Sequence, residues 1–181
     1  MVERRRRSGR KISARARQVI VVRAAVASDA PTLAALRWAF RAGRAAARED
    51  QFAFVARCAD WMRRELQAAG RWRCWVATRD QGDPAHPQSA IIGQVWLQIL
   101  PKVPNPIGER DRHAYLSNLY VAPEARGGVG SRLLDAALGW ADQHGVDCVV
   151  LWPTPKSTTL YQRHGFVRPG GVMERKSGRS L

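Results

Sequence analysis

A chain of 181 residues, 45% hydrophobic and 25% charged, is long enough for one domain with a proper core and short for two. Its three cysteines, Cys58, Cys74 and Cys148, are too few and too scattered for a disulfide framework or a Cys-x-x-Cys metal site, and read as small buried hydrophobes of a reducing cytoplasm. No apolar run has the length of a bilayer span and the N-terminus carries no signal-peptide pattern, so a cytoplasmic protein without membrane association is expected.

The formal net charge of +15 is unevenly spread. Arg4, Arg5, Arg6, Arg7, Arg10, Lys11, Arg15, Arg17 and Arg23 stand against Glu3 alone in the first 23 residues. Residues 1–18 therefore read as a basic, disordered tail, because self-repulsion and scarce apolar surface cannot offset the entropy of ordering. Such a tail suits nucleic acid or another anionic surface through counterion release. A solvated leader is the plainer reading, since no aromatic residue is interleaved to stack on bases. Residues 19–176 are expected to form a single domain and 177–181 a short flexible end.

Beyond the tail, strands and helices alternate. Val19 to Arg23 is a short β-branched strand, and Ser28-Asp29 with Pro31 announces a helix start. Leu33, Leu36, Phe40 and Gly43 recur at helical spacing. A second helix is predicted from Asp50 to Ala69, with Phe54, Cys58, Trp61, Met62 and Leu66 on one face and Gly70 ending it. Trp72 to Thr78, Ala90 to Leu100 and Ala114 to Val121 read as strands, the first two separated by a loop of turn residues from Asp80 to Ser89. After the helix marked by Leu133, Leu134, Ala137, Leu138 and Ala141, Gly145 supplies a C-cap. A strand from Val146 to Trp152, a short helix from Thr158 to His164 and a last strand from Phe166 to Arg175 complete the order. No internal repeat is visible.

The densest chemical signal is Arg126-Gly127-Gly128-Val129-Gly130-Ser131, between a strand and an amphipathic helix. Closely spaced glycines there let backbone N–H groups approach a ligand, and the helix start adds unpaired donors and a partial positive charge. This reads as a pyrophosphate cradle, with Arg126 supplying a formal charge. The plainer reading is a helix start whose glycines merely allow close packing on a strand. A dinucleotide site of the doubly wound type fits less well, because strand-helix-strand units do not repeat and the loop lies late in the chain.

Two segments together resemble the GNAT-type N-acetyltransferase superfamily. Leu116 to Leu134, which contains the glycine loop, looks like its acetyl-CoA motif, and Leu160-Tyr161-Gln162-Arg163-His164-Gly165-Phe166 is similar to its closing Tyr-x-x-x-Gly-Phe. The resemblance runs from about Val19 to Glu174. It implies an α/β (α+β) fold with a mixed, mostly antiparallel central sheet, a splayed strand pair and helices on both faces. It also implies acetyl-CoA as cosubstrate, held by the backbone of Leu119, Tyr120 and Val121 along the pantetheine arm and by Gly127, Gly128, Val129, Gly130 and Ser131 at the pyrophosphate. One departure stands out: counted back from Gly128-Val129-Gly130, Ala125 occupies the usual Arg or Gln position and Arg126 comes one residue late, with Arg132 a further basic neighbour.

By its match to the closing motif, Tyr161 carries the role of general acid, protonating the departing thiolate; a helix tyrosine packing on Phe166 is its plain alternative. Glu49, Asp50, Glu109 and His113 are candidates for the base that takes the amine proton, though each reads more simply as a surface or structural group, and His164 has no assigned role. Trp38 and Trp61, on the first two helices, are candidates to line an acceptor pocket. The reaction implied is direct acetyl transfer to a primary amine in a ternary complex, with no metal. No cysteine lies in an activating motif that would favour an acyl-enzyme. The partner expected first is a small-molecule amine. A tRNA- or protein-directed acetyltransferase, a non-catalytic CoA-binding domain and a homodimer stay open.

Overall fold

A computed structural model describes residues 19–42, 47–68, 70–79, 90–104 and 106–168, with 170 and 173. The basic tail, Gly43, the loop 80–89 and residues 174–181 lie outside the described residues. Nine elements follow in chain order: β1 (Ile20–Ala24), α1 (Ala30–Ala42), α2 (Gln51–Gln67), β2 (Trp72–Arg79), β3 (Ala90–Pro101), β4 (Arg112–Val121), α3 (Val129–Gln143), β5 (Cys148–Val150) and α4 (Thr158–Arg163).

The five strands form one sheet in the order β1-β2-β3-β4-β5. β1 to β4 pair antiparallel, whereas β5 runs parallel to β4. Side chains alternate between two cores, as the strand period of two requires. Trp75 and Ala77 of β2, Val95 and Leu97 of β3, and Ala114 and Leu116 of β4 pack with Leu133, Leu134, Ala137 and Ala141 of α3. Cys74, Val76 and Trp96 face the opposite way and pack with Leu33 and Ala34 of α1 and Ala59 and Met62 of α2. The sheet is thus mostly antiparallel with helices on both faces, as expected.

Two local features set the strand that matters most. The β3–β4 register steps from Gln94 opposite Tyr120 to Trp96 opposite Ser117, which leaves two residues of β4 across from Val95. Asn118 in that bulge has φ +54°, a left-handed conformation that asparagine tolerates better than most residues. The Arg37 guanidinium donates to its side-chain oxygen at 3.0 Å, tying α1 to the bulge. On the other face, a Cβ at Gly93 would lie 2.9 Å from the Tyr120 carbonyl oxygen and 3.1 Å from Leu133, so glycine lets α3 close on β3.

Several expectations need correction. Helix α1 starts at Ala30 with Pro31 in its first turn, as expected, but the Asp29 carboxylate does not cap it: it accepts from the Val26 N–H at 2.8 Å and pairs with both ends of the Arg23 guanidinium at 2.7 and 2.9 Å. The strand expected from Val146 to Trp152 shrinks to Cys148–Val150, because β4 and β5 diverge beyond Tyr115 and Val150. Phe166 to Arg168, expected to open a last strand, lie in no strand; Pro169, Gly171, Val172 and Glu174 to Arg175 fall outside the described residues. Finally, Cys74 is buried and Cys58 half-buried, but Cys148 is exposed.

Candidate active site

The divergence of β4 from β5 opens the site. Only His113 to Tyr115 pair with Cys148 to Val150. β4 then continues to Val121 without a described strand partner on that side, and a cleft of about 1220 Å³ enters the gap. Leu116 to Val121 form one wall and Leu151, Trp152 and Thr154 the other. At the mouth of the split, Tyr115 and Trp152 meet edge to face with centroids 4.9 Å apart.

One end of the cleft is the glycine loop. Gly127 (φ +119°) and Gly128 (φ +95°) occupy backbone conformations that side chains disfavour, and a Cβ on either would meet no protein atom within 4 Å. Conformation rather than crowding therefore requires these two glycines. Gly128 is the N-cap of α3 and offers no side-chain cap, and the first turn carries no acidic residue. The first intrahelical donor is the Arg132 N–H, bonded to the Gly128 carbonyl at 3.2 Å. The N–H groups of Val129, Gly130 and Ser131 precede it and stand at the positive end of a 15-residue helix. Val129 and Leu133, at 2% and 0% exposure, anchor the opposite side of that turn in the core. This donor set fits a pyrophosphate.

The late arginine finds its explanation in packing. Ala125 is 4% exposed and belongs to the α3-side core, so a charged side chain at that position would be buried. Arg126 is exposed and lines the cleft beside Gly127 and Gly130, whereas Arg132 does not line it. Lys156, in the turn before α4, also lines the cleft and carried no motif signal.

Tyr161 of α4 lines the cleft while being only 9% exposed. Its ring contacts Phe166 edge to face at 5.6 Å, so the packing role and the cleft position coexist. Burial, with a smaller contribution from Tyr115, pushes the phenol above its ordinary value, which keeps it protonated at neutral pH. Cys58 and Cys74 are likewise raised, chiefly by burial, and so are held as thiols rather than nucleophilic thiolates.

The other end lies on the α1–α2 face. Trp61 of α2, Trp72 of β2 and Trp96 of β3 form a mutual aromatic cluster, with centroids 5.3, 5.7 and 6.1 Å apart, and all three line the cleft. Trp96 is fixed through its indole N–H, which donates to Gln94 at 2.8 Å, and the fully buried Gln94 amide in turn donates to the Leu33 carbonyl at 3.0 Å. Trp61 thus takes the expected place. Trp38 does not line the cleft and packs on Phe54 at 5.5 Å. Trp72, Trp96, Tyr115, Trp152, Arg37 and Arg57 carried no signal in the sequence, because alternation marks a strand face but not which face borders a gap.

None of the candidate bases lines the cleft. Glu49 pairs with Arg57, Asp50 caps α2 through the Ala53 N–H at 3.0 Å, and Glu109 holds Lys102 at 3.3 Å. His113 lies 3.7 Å from the Asp147 carboxylate. His164 bridges α4 to α3 through Asp135 at 3.1 Å and contacts the Leu160 carbonyl at 2.8 Å.

A split parallel strand pair, the glycine-started helix α3 and a buried tyrosine on the neighbouring α4 thus border one cleft of a mixed α/β domain. The sequence profile of the acetyltransferase (GNAT) family matches residues 34–166, and the chain belongs to that family. No curated protein sequence matches the chain. Among solved structures, a GCN5-related N-acetyltransferase from Ralstonia eutropha JMP134 is 23% identical, with a TM-score of 0.62 over 88% of this chain and 100% of its own. A predicted acetyltransferase from Clostridium acetobutylicum, crystallised with acetyl-CoA, is 19% identical with a TM-score of 0.66 over 87% and 96%. The aminoglycoside N-acetyltransferase AAC(6')-Iy in complex with CoA is 18% identical, with a TM-score of 0.63 over 89% and 96%. These likenesses establish the fold. No helix of the described residues is long and apolar enough to cross a membrane.

Proposed function

We propose that the protein is an acetyl-CoA-dependent N-acetyltransferase of the cytoplasm that acetylates a primary amine by direct attack, and that residues 19–176 are its catalytic domain. The observation that carries this reading is the meeting of an anion cradle and a buried, protonated tyrosine on one cleft beside the unpaired edge of β4. The N–H groups of Gly128 to Ser131 and the Arg126 guanidinium hold the pyrophosphate. The backbone of Leu119 to Val121 receives the pantetheine arm, and its N–H groups polarise the thioester carbonyl.

Holding both substrates in one cleft supplies much of the acceleration by proximity. The neutral amine forms a nitrogen–carbon bond to the acetyl carbonyl, and the carbon–sulfur bond breaks. The sulfur departs with the bonding pair and receives a proton from the Tyr161 hydroxyl, and the proton shed by nitrogen passes to solvent, from which Tyr161 is reprotonated.

The test is thiol release from acetyl-CoA across a panel of primary amines, comparing wild type with Tyr161→Phe. Loss of about 100-fold or more in kcat, with acetyl-CoA affinity held within about 3-fold, is expected. An unchanged kcat on a confirmed substrate removes Tyr161 from the mechanism, and no thiol release with any amine removes the reaction.

A further inference from the structure

The charge of the cleft lining points to the acceptor. Among the described residues, not one Asp or Glu lines the cleft, whereas Arg37, Arg41 and Arg57 line its α1–α2 end around the Trp61, Trp72 and Trp96 cluster. Glu49, which does not line the cleft, pairs with Arg57. Resting on the acetyltransfer reading above, we infer that the acceptor is a primary amine with an aromatic body and an anionic group, and that Arg37 and Arg57 select it.

Three observations support this. Arg37 is oriented rather than loose: it donates to Asn118 at the β4 bulge and its guanidinium lies 5.9 Å from the Phe40 ring centroid. An oriented guanidinium recognises a carboxylate or phosphate through paired N–H donors. Second, Trp61 and Trp72 are half-buried and bring indole surface to the cleft, and the buried Trp96, locked by its bond to Gln94, holds them from behind. Tryptophan faces also attract cations, but a polyamine or aminoglycoside would have to lodge several ammonium groups beside Arg37, Arg41 and the Glu49-paired Arg57. Third, the same cations account for the missing base. Positive neighbours disfavour the ammonium form and so ease loss of the amine's proton.

The experiment uses the full chain saturated with acetyl-CoA and three probes: 4-(aminomethyl)benzoate, its methyl ester and spermidine. The benzoate is expected to have a kcat/KM about 10-fold or more above that of both others, and Arg37→Gln or Arg57→Gln to bring the benzoate-to-ester ratio toward one. An ester or spermidine that reacts as well as the benzoate overturns the inference while leaving acetyl transfer intact. If no probe releases thiol, binding decides, read as quenching of tryptophan fluorescence in the presence of CoA. Quenching by the benzoate but not by the ester or spermidine upholds the acceptor site although the reaction reading has failed. Equal quenching by all three, or none by the benzoate, overturns it.

Discussion

At the α3 end the cleft is bordered by Gly127 and Gly130 beside the free N–H donors of the first helical turn, whereas at the α1–α2 end it is lined by side chains: Trp61, Trp72, Trp96 and Arg37. On the proposed function, the difference follows from the chemistry each end meets. A pyrophosphate is the same in every reaction, so a fixed backbone curve with no Cβ in the way suffices. An acceptor varies, and helix side chains such as Trp61 and Arg37 can change without disturbing the sheet beneath them. Substitutions at the first end should therefore act through backbone conformation, and at the second through surface chemistry.

The largest effect separating the two ends should come from Gly128→Val. A β-branched residue at φ +95° is strained, and the loop must rotate its donors away to relieve it. Acetyl-CoA affinity measured by calorimetry should fall about 10- to 100-fold, with the far-ultraviolet circular dichroism retained. At the other end, Trp61→Ala should lower acceptor kcat/KM about 10-fold while acetyl-CoA affinity stays within about 2-fold. A fall in acetyl-CoA affinity with Trp61→Ala would merge the two ends into one site.

A smaller effect checks the frame that carries both. Burial raises the Asp29 carboxyl, but the bonds from Arg23 and the Val26 N–H outweigh it and hold the group below its ordinary value. A lowered folded value means that its stabilisation is present above the unfolded value of about 3.9 and is lost as pH falls through the folded one. Asp29→Ala should cost about 1–2 kcal/mol at neutral pH by urea unfolding, and the difference from wild type should shrink in acid. Smallest of all, Glu109→Gln and His113→Gln should change kcat by less than about 2-fold, since exposed pairs of this kind contribute little.

The legible parts of the sequence are those whose signal is local. Strands β2 to β4, helix α3 and the glycine loop declare themselves through alternation, helical period and φ-permissive residues. Tyr161 was singled out only through the resemblance of its Tyr-x-x-x-Gly-Phe segment to the family's closing motif, and the structure shows it lining the cleft. The apolar run from Val146 to Trp152 reports burial tendency, not pairing, so its length as a strand was overestimated where the sheet splits. The α1–α2 end of the cleft was mostly illegible. Trp72 and Trp96 lie on separate strands and meet Trp61 only through sheet register and helix packing. Glu49 and Glu109 carry no sign in the sequence that Arg57 and Lys102 engage them.

Amide hydrogen exchange of the full chain, with and without saturating acetyl-CoA, tests most directly whether the cosubstrate is held by backbone. The N–H groups of Gly128 to Ser131 and of Leu119 to Val121 should exchange more slowly when acetyl-CoA is bound, while those of Gln51–Gln67 change little. Unaltered exchange at the glycine loop, with protection confined to α1 and α2, would contradict the account.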